Sequence, residues 1–162
     1  MTPTAIFLLQ FTMSLLVVAL IASWYVAPWL ARFSASAALS VLLLPHAFRH
    51  IGMSFMVPNL NSGGLPEAFA NSASYGDLVS AFLAIGALLA LRWRLVVAIP
   101  LVWVFNTLGT IDLANALRQA EAIDYFGATW FIPTFLVPVL LVTHVMIFAR
   151  LLKADRTQSV AA

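Results

Sequence analysis

The sequence predicts an all-α integral membrane protein, a bundle of five transmembrane helices that forms one domain over residues 1–162. Three observations predict this fold. Hydrophobic residues make up 63% of the chain and charged residues 9%, whereas a soluble domain carries about 25% charged residues. The apolar residues form five long stretches, each close to the roughly 20 residues with which a helix crosses the bilayer hydrocarbon. Apart from Arg49, lysine and arginine lie at the ends of these stretches or between them and form no long basic run, so we do not expect nucleic acid as a partner.

The first two apolar stretches cover residues 5–26 and 35–57. The first follows an uncharged amino terminus and is longer than the apolar core of a signal peptide, which has about 7 to 15 residues. We interpret it as a retained membrane helix. A cleaved signal peptide is the alternative, because the small residues at 34–37 resemble a processing site.

The other three stretches cover residues 75–91, 95–111 and 129–152. A connection rich in Asn, Gly and Pro at residues 58–74 predicts a loop, in which Pro66 and Glu67 suit the start of a short surface helix. Only Arg92, Trp93 and Arg94 separate the third stretch from the fourth, so these two helices are expected to form an antiparallel hairpin. Polar residues beyond 111 indicate that the fourth helix extends past the membrane surface.

The charge distribution predicts the orientation of the bundle. If all five helices cross, the basic residues of the short connections collect on one side, which marks the cytoplasm. We therefore expect the N-terminus outside and the C-terminus in the cytoplasm of a plasma membrane, of the type of the bacterial inner membrane. The basic side carries Arg32, Arg92, Arg94, Arg150, Lys153 and Arg156, and the other side carries Glu67, Asp77, Asp112, Glu121 and Asp124, with Arg118 as its only loop cation.

The second stretch contains the main functional signal, His46, Arg49 and His50. On an α-helix these residues project toward roughly one face. A guanidinium within a transmembrane helix costs at least about 2.5 kcal/mol and needs an acceptor. Asp112, in the outer part of the fourth helix, is the expected partner, and Asp77 competes for the same role. Snorkelling of Arg49 to the outer head groups is the alternative.

These residues predict a polar pocket that opens outward and binds a small or amphipathic ligand through His46, Arg49, His50, Asn106 and Asp112. Arg49 would hold an anionic or carbonyl group, and the histidines would exchange protons. No nucleophile dyad and no phosphate-binding glycine loop is recognisable in the sequence, so no particular enzymatic reaction is predicted.

The sequence also allows two alternatives from other functional classes. One is a redox subunit that binds haem b or a metal through His46 or His50 together with His144. The other is a structural subunit of a larger membrane complex or a homo-oligomer, in which Gly76, Ser80 and Ala84 form a small-residue packing face. Membrane lipids are partners under every interpretation. The chain has no cysteine, which excludes thiolate catalysis and Cys-ligated metals.

Overall fold

Five main helices make up the described part of the fold. The computed structural model describes the backbone of residues 1–160 and the side chains of residues 1–153, and every regular element in that part is helical. The five main helices are α1 (Pro3–Leu30), α2 (Ala35–Ala47), α3 (Glu67–Arg92), α4 (Ala98–Leu117) and α5 (Val137–Val160). Shorter elements are the 3₁₀ segments Phe48–Met56, Ala120–Tyr125 and Gly127–Thr129 and the π-helical turns Ala22–Val26 and Ile132–Leu136.

The chain runs back and forth between two ends of the bundle. At one end, which we call the capped end, the connections at 57–66 and 118–132 are joined by backbone hydrogen bonds from Ser62 N to Tyr125 O at 3.0 Å and from Ala128 N to Leu60 O at 2.7 Å. The opposite end, the basic end, contains the turn at 93–97 and the connection at 31–34. The turn is short enough that α3 and α4 form the predicted antiparallel hairpin.

Three helices are long and apolar enough to cross a membrane by length and composition, namely Pro3–Leu30, Glu67–Arg92 and Gly127–Lys153. Large apolar side chains cover their outer surfaces. Phe82 and Val145 are 67% and 68% exposed, and a surface of this kind is unfavourable in water. The structure therefore confirms an all-α fold and indicates a membrane protein.

The predicted helix bounds need two changes. The second apolar stretch is not one α-helix, because the α-helix ends at Ala47 and a 3₁₀ segment follows. The short helix expected near Pro66 is not separate, because it forms the first two turns of α3 and makes residues 67–74 helical. The fourth helix extends beyond residue 111 to Leu117, as expected.

The core near the basic end is apolar apart from Ser80. Leu43, Val102 and Ile147 are completely buried there. Small residues of α3 let the neighbouring helices approach closely, and these include the predicted pair Ser80 and Ala84, which are 2% and 0% exposed. That face therefore packs within the chain. Toward the capped end the core changes, first to a charged cluster and then to a group of aromatic rings.

Candidate functional site

The first functional side chains belong to a row of buried residues that recur at every third position. His46, Arg49, Gly52 and Phe55 are all buried and follow one another at intervals of three. Side chains at i and i+3 lie above one another in a 3₁₀-helix, whereas an α-helix advances by 3.6 residues per turn. The 3₁₀ segment Phe48–Met56 therefore keeps this row of side chains facing the bundle interior.

Arg49 is the centre of a buried ion network. Its Nε donates to Asp77 Oδ1 at 2.7 Å, its Nη2 donates to Asp112 Oδ2 at 2.5 Å, and its Nη1 donates to the Gly109 carbonyl at 3.2 Å. The side chain of Arg49 is 0% exposed, whereas those of Asp77 and Asp112 are 13% and 19% exposed. Both candidate carboxylates thus bind the guanidinium at once, and Arg49 does not snorkel to the surface.

Three glycines make room for this network. A Cβ atom on Gly52 would overlap the Asp77 carboxylate, and one on Gly76 would overlap the Asp112 carboxylate. A Cβ atom on Gly109 would lie 2.9 Å from Arg49 Nη1 and 2.9 Å from His144 Cε1. Each charged or titratable side chain therefore lies directly against the backbone of a neighbouring helix. Gly52 and Gly109 were not predicted as site residues from the sequence.

A pair of histidines continues the cluster toward the apolar core. The rings of His46 and His144 are in contact, with centroids 4.2 Å apart, and Phe105 packs against both. His144 Nδ1 lies 2.6 Å from Asn106 Oδ1, while Asn106 Nδ2 donates to the His144 carbonyl. Because that carbonyl fixes the amide orientation, Asn106 Oδ1 accepts and His144 Nδ1 carries the proton. A neutral His144 therefore has an unprotonated Nε2.

Two ring nitrogens of this pair have no hydrogen-bond partner among the described residues, His46 Nδ1 and His144 Nε2. Both rings are completely or almost completely buried, at 0% and 1% exposure. Buried polar atoms without a partner are rare and costly. The other nitrogen of His46, Nε2, lies 2.9 Å from Thr143 Oγ1. The polar cluster is thus only partly satisfied by its own residues.

The structure brings His46, Arg49, Asn106 and Asp112 together but places His50 elsewhere. His50 is exposed, and its Nδ1 lies 3.0 Å from the Ala47 carbonyl. The reason is the change of helix type at Phe48. An i+4 residue shares a face on an α-helix, but it is turned by about a third of a revolution on a 3₁₀-helix. The expectation that His50 shares the face of Arg49 was therefore wrong.

The haem and metal alternatives can be compared with this geometry. His46 and His144 lie on facing helices, as axial haem ligands must, but their rings touch at an interplanar angle of 53°. This arrangement has no space for a macrocycle between them. No group of three or more His, Asp or Glu side chains that could hold a metal ion occurs within the described residues. The contacting rings of His46 and His144 therefore do not fit a haem bound between them.

A cavity of about 50 Å³ lies between the charged cluster and the capped end. Its walls are apolar, and the rings of Phe55, Phe69 and Phe126 pack against one another beside it. Among the described residues that line it, the charged side chains are Asp77 and Asp112. The guanidinium of Arg49 lies behind the two carboxylates and does not line the cavity.

Comparisons with known proteins place the chain in a family without assigning it a function. A family model described as "Domain of unknown function (DUF8737)" matches residues 6–152. No curated protein and no solved structure gives a significant match. Because the family model matches nearly the whole chain, the protein belongs to the DUF8737 family.

Proposed function

We propose that the protein is a five-span protein of a bacterial-type plasma membrane that binds a small amphipathic ligand in the cavity beneath the capped end. The five passes and the placement of the basic residues support this topology, with the N-terminus outside and the C-terminus in the cytoplasm. Arg92 precedes the turn at the basic end and Arg94 lies within it, and Arg150 and Lys153 line a cavity there with Ala31. The side chain of Arg156 lies outside the described residues.

One observation carries the binding proposal, namely a cavity with apolar walls and two carboxylates as its charged surface. Ligand sites in proteins combine mainly apolar walls with a few polar groups that fix orientation. An ion network that only held the helices in register would need no space beside it. The cavity next to Asp77 and Asp112 therefore favours binding over a purely structural role.

The charges of the site favour a cationic head group. When both carboxylates are ionised, the network has one net negative charge, and the guanidinium donors are directed to Asp77, Asp112 and the Gly109 carbonyl. A buried charge without compensation is costly, so a ligand with an ammonium group would stabilise the site. The faces of Phe55, Phe69 and Phe126 add cation–π attraction. An anionic group held by Arg49, as first expected, would instead have to displace a carboxylate.

The size of the cavity limits the group that enters it. A single water needs about 10–15 Å³, and an engineered cavity of about 150 Å³ holds benzene. A volume of about 50 Å³ therefore suits a head group of a few non-hydrogen atoms, such as a primary or methylated ammonium.

The experiment compares three ligands of equal chain length in lipid nanodiscs. Thermal unfolding is followed with n-butylamine, butyrate or n-butanol at equal concentration and constant pH. We expect only the amine to raise the unfolding temperature, because only the amine neutralises the excess carboxylate charge. The shift should disappear in Asp77→Asn and Asp112→Asn, whereas the exposed control Asp124→Asn should keep it.

Two outcomes would contradict the proposal. One is an equal shift with amine, acid and alcohol, which would indicate partitioning into the bilayer. The other is an amine shift that survives in the double variant Asp77→Asn/Asp112→Asn. Each variant is compared with its own ligand-free state, so a change in baseline stability does not affect the result.

A further inference from the structure

Helix α1 contacts α5 and is also held to the rest of the bundle at both ends. At the capped end Phe7 packs edge-on against Trp130 with centroids 5.7 Å apart, and Trp130 Nε1 donates to Gln10 Oε1 at 2.6 Å. At the basic end Leu30 is completely buried in the apolar core. Of the three long apolar helices α1 is the least buried. A groove therefore remains along the seam between α1 and α5.

This groove continues into a second cavity at the basic end. The first part has a volume of about 480 Å³ and is lined by small residues of α1, from Ala19 to Ala27, and by apolar residues of α5. The second part has about 580 Å³ and is lined by Arg150 and Lys153. Ala27 and Met146 line both parts. The two cavities therefore form one slot with an apolar interior and a basic mouth.

The length of the slot matches one leaflet of a bilayer. Its α1 wall runs from Leu15 to Ala27, which corresponds to about 18 Å at the helical rise of 1.5 Å per residue. Half of the bilayer hydrocarbon is about 15 Å thick. The apolar interior can thus hold one acyl chain, and the basic mouth then lies at the level of the lipid head groups.

The charges at the mouth distinguish a lipid from a second copy of this chain. Copies in one membrane have the same orientation, so a helix of a second copy would bring its own basic end to Arg150 and Lys153. Like charges at the same depth would repel. A phosphate group at that depth is attracted instead, because guanidinium and ammonium groups bind phosphate oxygens and basic residues near the surface attract anionic lipids.

We propose that the slot between α1 and α5 binds one acyl chain of an anionic phospholipid of the leaflet at the basic end, with its phosphate at Arg150 and Lys153. This site is separate from the cavity beside Asp77 and Asp112, and it does not depend on the function proposed for that cavity. The π-helical turn Ala22–Val26 lies within the α1 wall of the slot.

Native mass spectrometry of the full chain tests this site. The protein is purified in mild detergent after reconstitution with equal amounts of phosphatidylglycerol and phosphatidylcholine, and retained lipid is counted. We expect one lipid per chain with about a tenfold preference for phosphatidylglycerol, because two basic residues contribute to the attraction. Arg150→Gln/Lys153→Gln should reduce that preference to about equal retention. Arg94→Gln, at the same end but in the turn at 93–97, should keep it.

A second variant tests the apolar part of the slot. Ala19→Phe/Ser23→Phe fills the groove from two exposed positions of α1, so it should lose both lipids while the protein stays folded. Thr12→Phe, an exposed position on the same helix, is the matched control and should retain lipid. Retention by the filled variant, or an unchanged preference in the double Gln variant, would overturn the proposal.

Two further outcomes would assign the slot differently and also overturn it. Dimers that disappear in Ala19→Phe/Ser23→Phe would assign the groove to a second copy of the chain. If glycerol 1-phosphate, which lacks an acyl chain, stabilised the protein as much as phosphatidylglycerol does, the site would bind only a phosphate group at the mouth.

Discussion

The half of the bundle near the basic end buries almost only apolar side chains, whereas the half near the capped end buries a guanidinium, two histidines and an amide. Leu43, Val102 and Ile147 fill the first half without a polar atom. The second half contains Arg49 and His144, which are just as deeply buried. Helices α3, α4 and α5 pass through both halves. Their packing therefore does not require charge, and burying charge carries a desolvation cost.

Small residues line both halves, but they serve different purposes. Ala84, Ala87 and Ala90 let apolar helices approach one another in the first half. In the second half glycine is required, because a Cβ on Gly76 would overlap the Asp112 carboxylate. The charged half is thus built around specific side chains, which is the pattern expected of a site.

Removing the Arg49 guanidinium should lower the free energy of unfolding more than any of the other changes. In Arg49→Leu the carboxylates of Asp77 and Asp112 stay buried without their partner, so we expect the free energy of unfolding to fall by about 3–5 kcal/mol. Unfolding in bicelles with a denaturing detergent measures it. The exposed Arg92→Gln is the control and should change the value by less than about 0.5 kcal/mol. A loss below about 1 kcal/mol in Arg49→Leu would mean that the network contributes little.

A cavity in the apolar half should destabilise the protein without affecting binding. Leu43 is 0% exposed, and its truncation in Leu43→Ala removes packing that lipid cannot replace, which should cost about 2–3 kcal/mol. The same unfolding experiment measures the loss. The unfolding-temperature shift with n-butylamine should be preserved. Loss of that shift would show that the two halves are coupled and would break the comparison.

Substituting alanine for glycine at two positions of α3 tests whether the close contact with the Asp112 carboxylate requires glycine. In Gly76→Ala the new Cβ meets the Asp112 carboxylate, and overpacking of this kind costs about 1–3 kcal/mol. In Gly86→Ala, on the same helix, the nearest atom would be Leu101 Cδ2 at 3.6 Å, an ordinary contact. That control should be neutral or stabilising by up to about 1 kcal/mol. Equal destabilisation by both variants would attribute the effect to the helix backbone.

Replacing His50 should change the free energy of unfolding less than any of the other substitutions. Because it is exposed and separate from the cluster, His50→Gln should change the free energy of unfolding by less than about 0.5 kcal/mol and leave the amine response intact. A ligand titration followed by thermal unfolding checks both. If His50→Gln lost the unfolding-temperature shift with n-butylamine, His50 would belong to the ligand site.

The sequence was sufficient for the helical fold, the hairpin at Arg92 to Arg94 and the need of Arg49 for a carboxylate. The ligand-binding role of His46, Arg49, His50, Asn106 and Asp112 stays a prediction, although the structure places His50 away from the other four. The position of His50 could not be predicted from α-helical spacing, because the change to a 3₁₀ segment alters the periodicity. The interval of three through Gly52 and Phe55 was a signal for that change. The contact of Gly76 with Asp112 depends on the register between α3 and α4, which a single sequence does not specify.

Replacing the whole network by apolar side chains tests most directly whether the charges serve binding and not folding. The triple variant Arg49→Leu/Asp77→Leu/Asp112→Leu leaves no charge of the network unpaired, and such replacements are often neutral or stabilising by about 1–4 kcal/mol. We predict that it unfolds in bicelles with at least wild-type stability and shows no unfolding-temperature shift with n-butylamine. A triple variant as unstable as Arg49→Leu, or one that still responds to the amine, would contradict this interpretation.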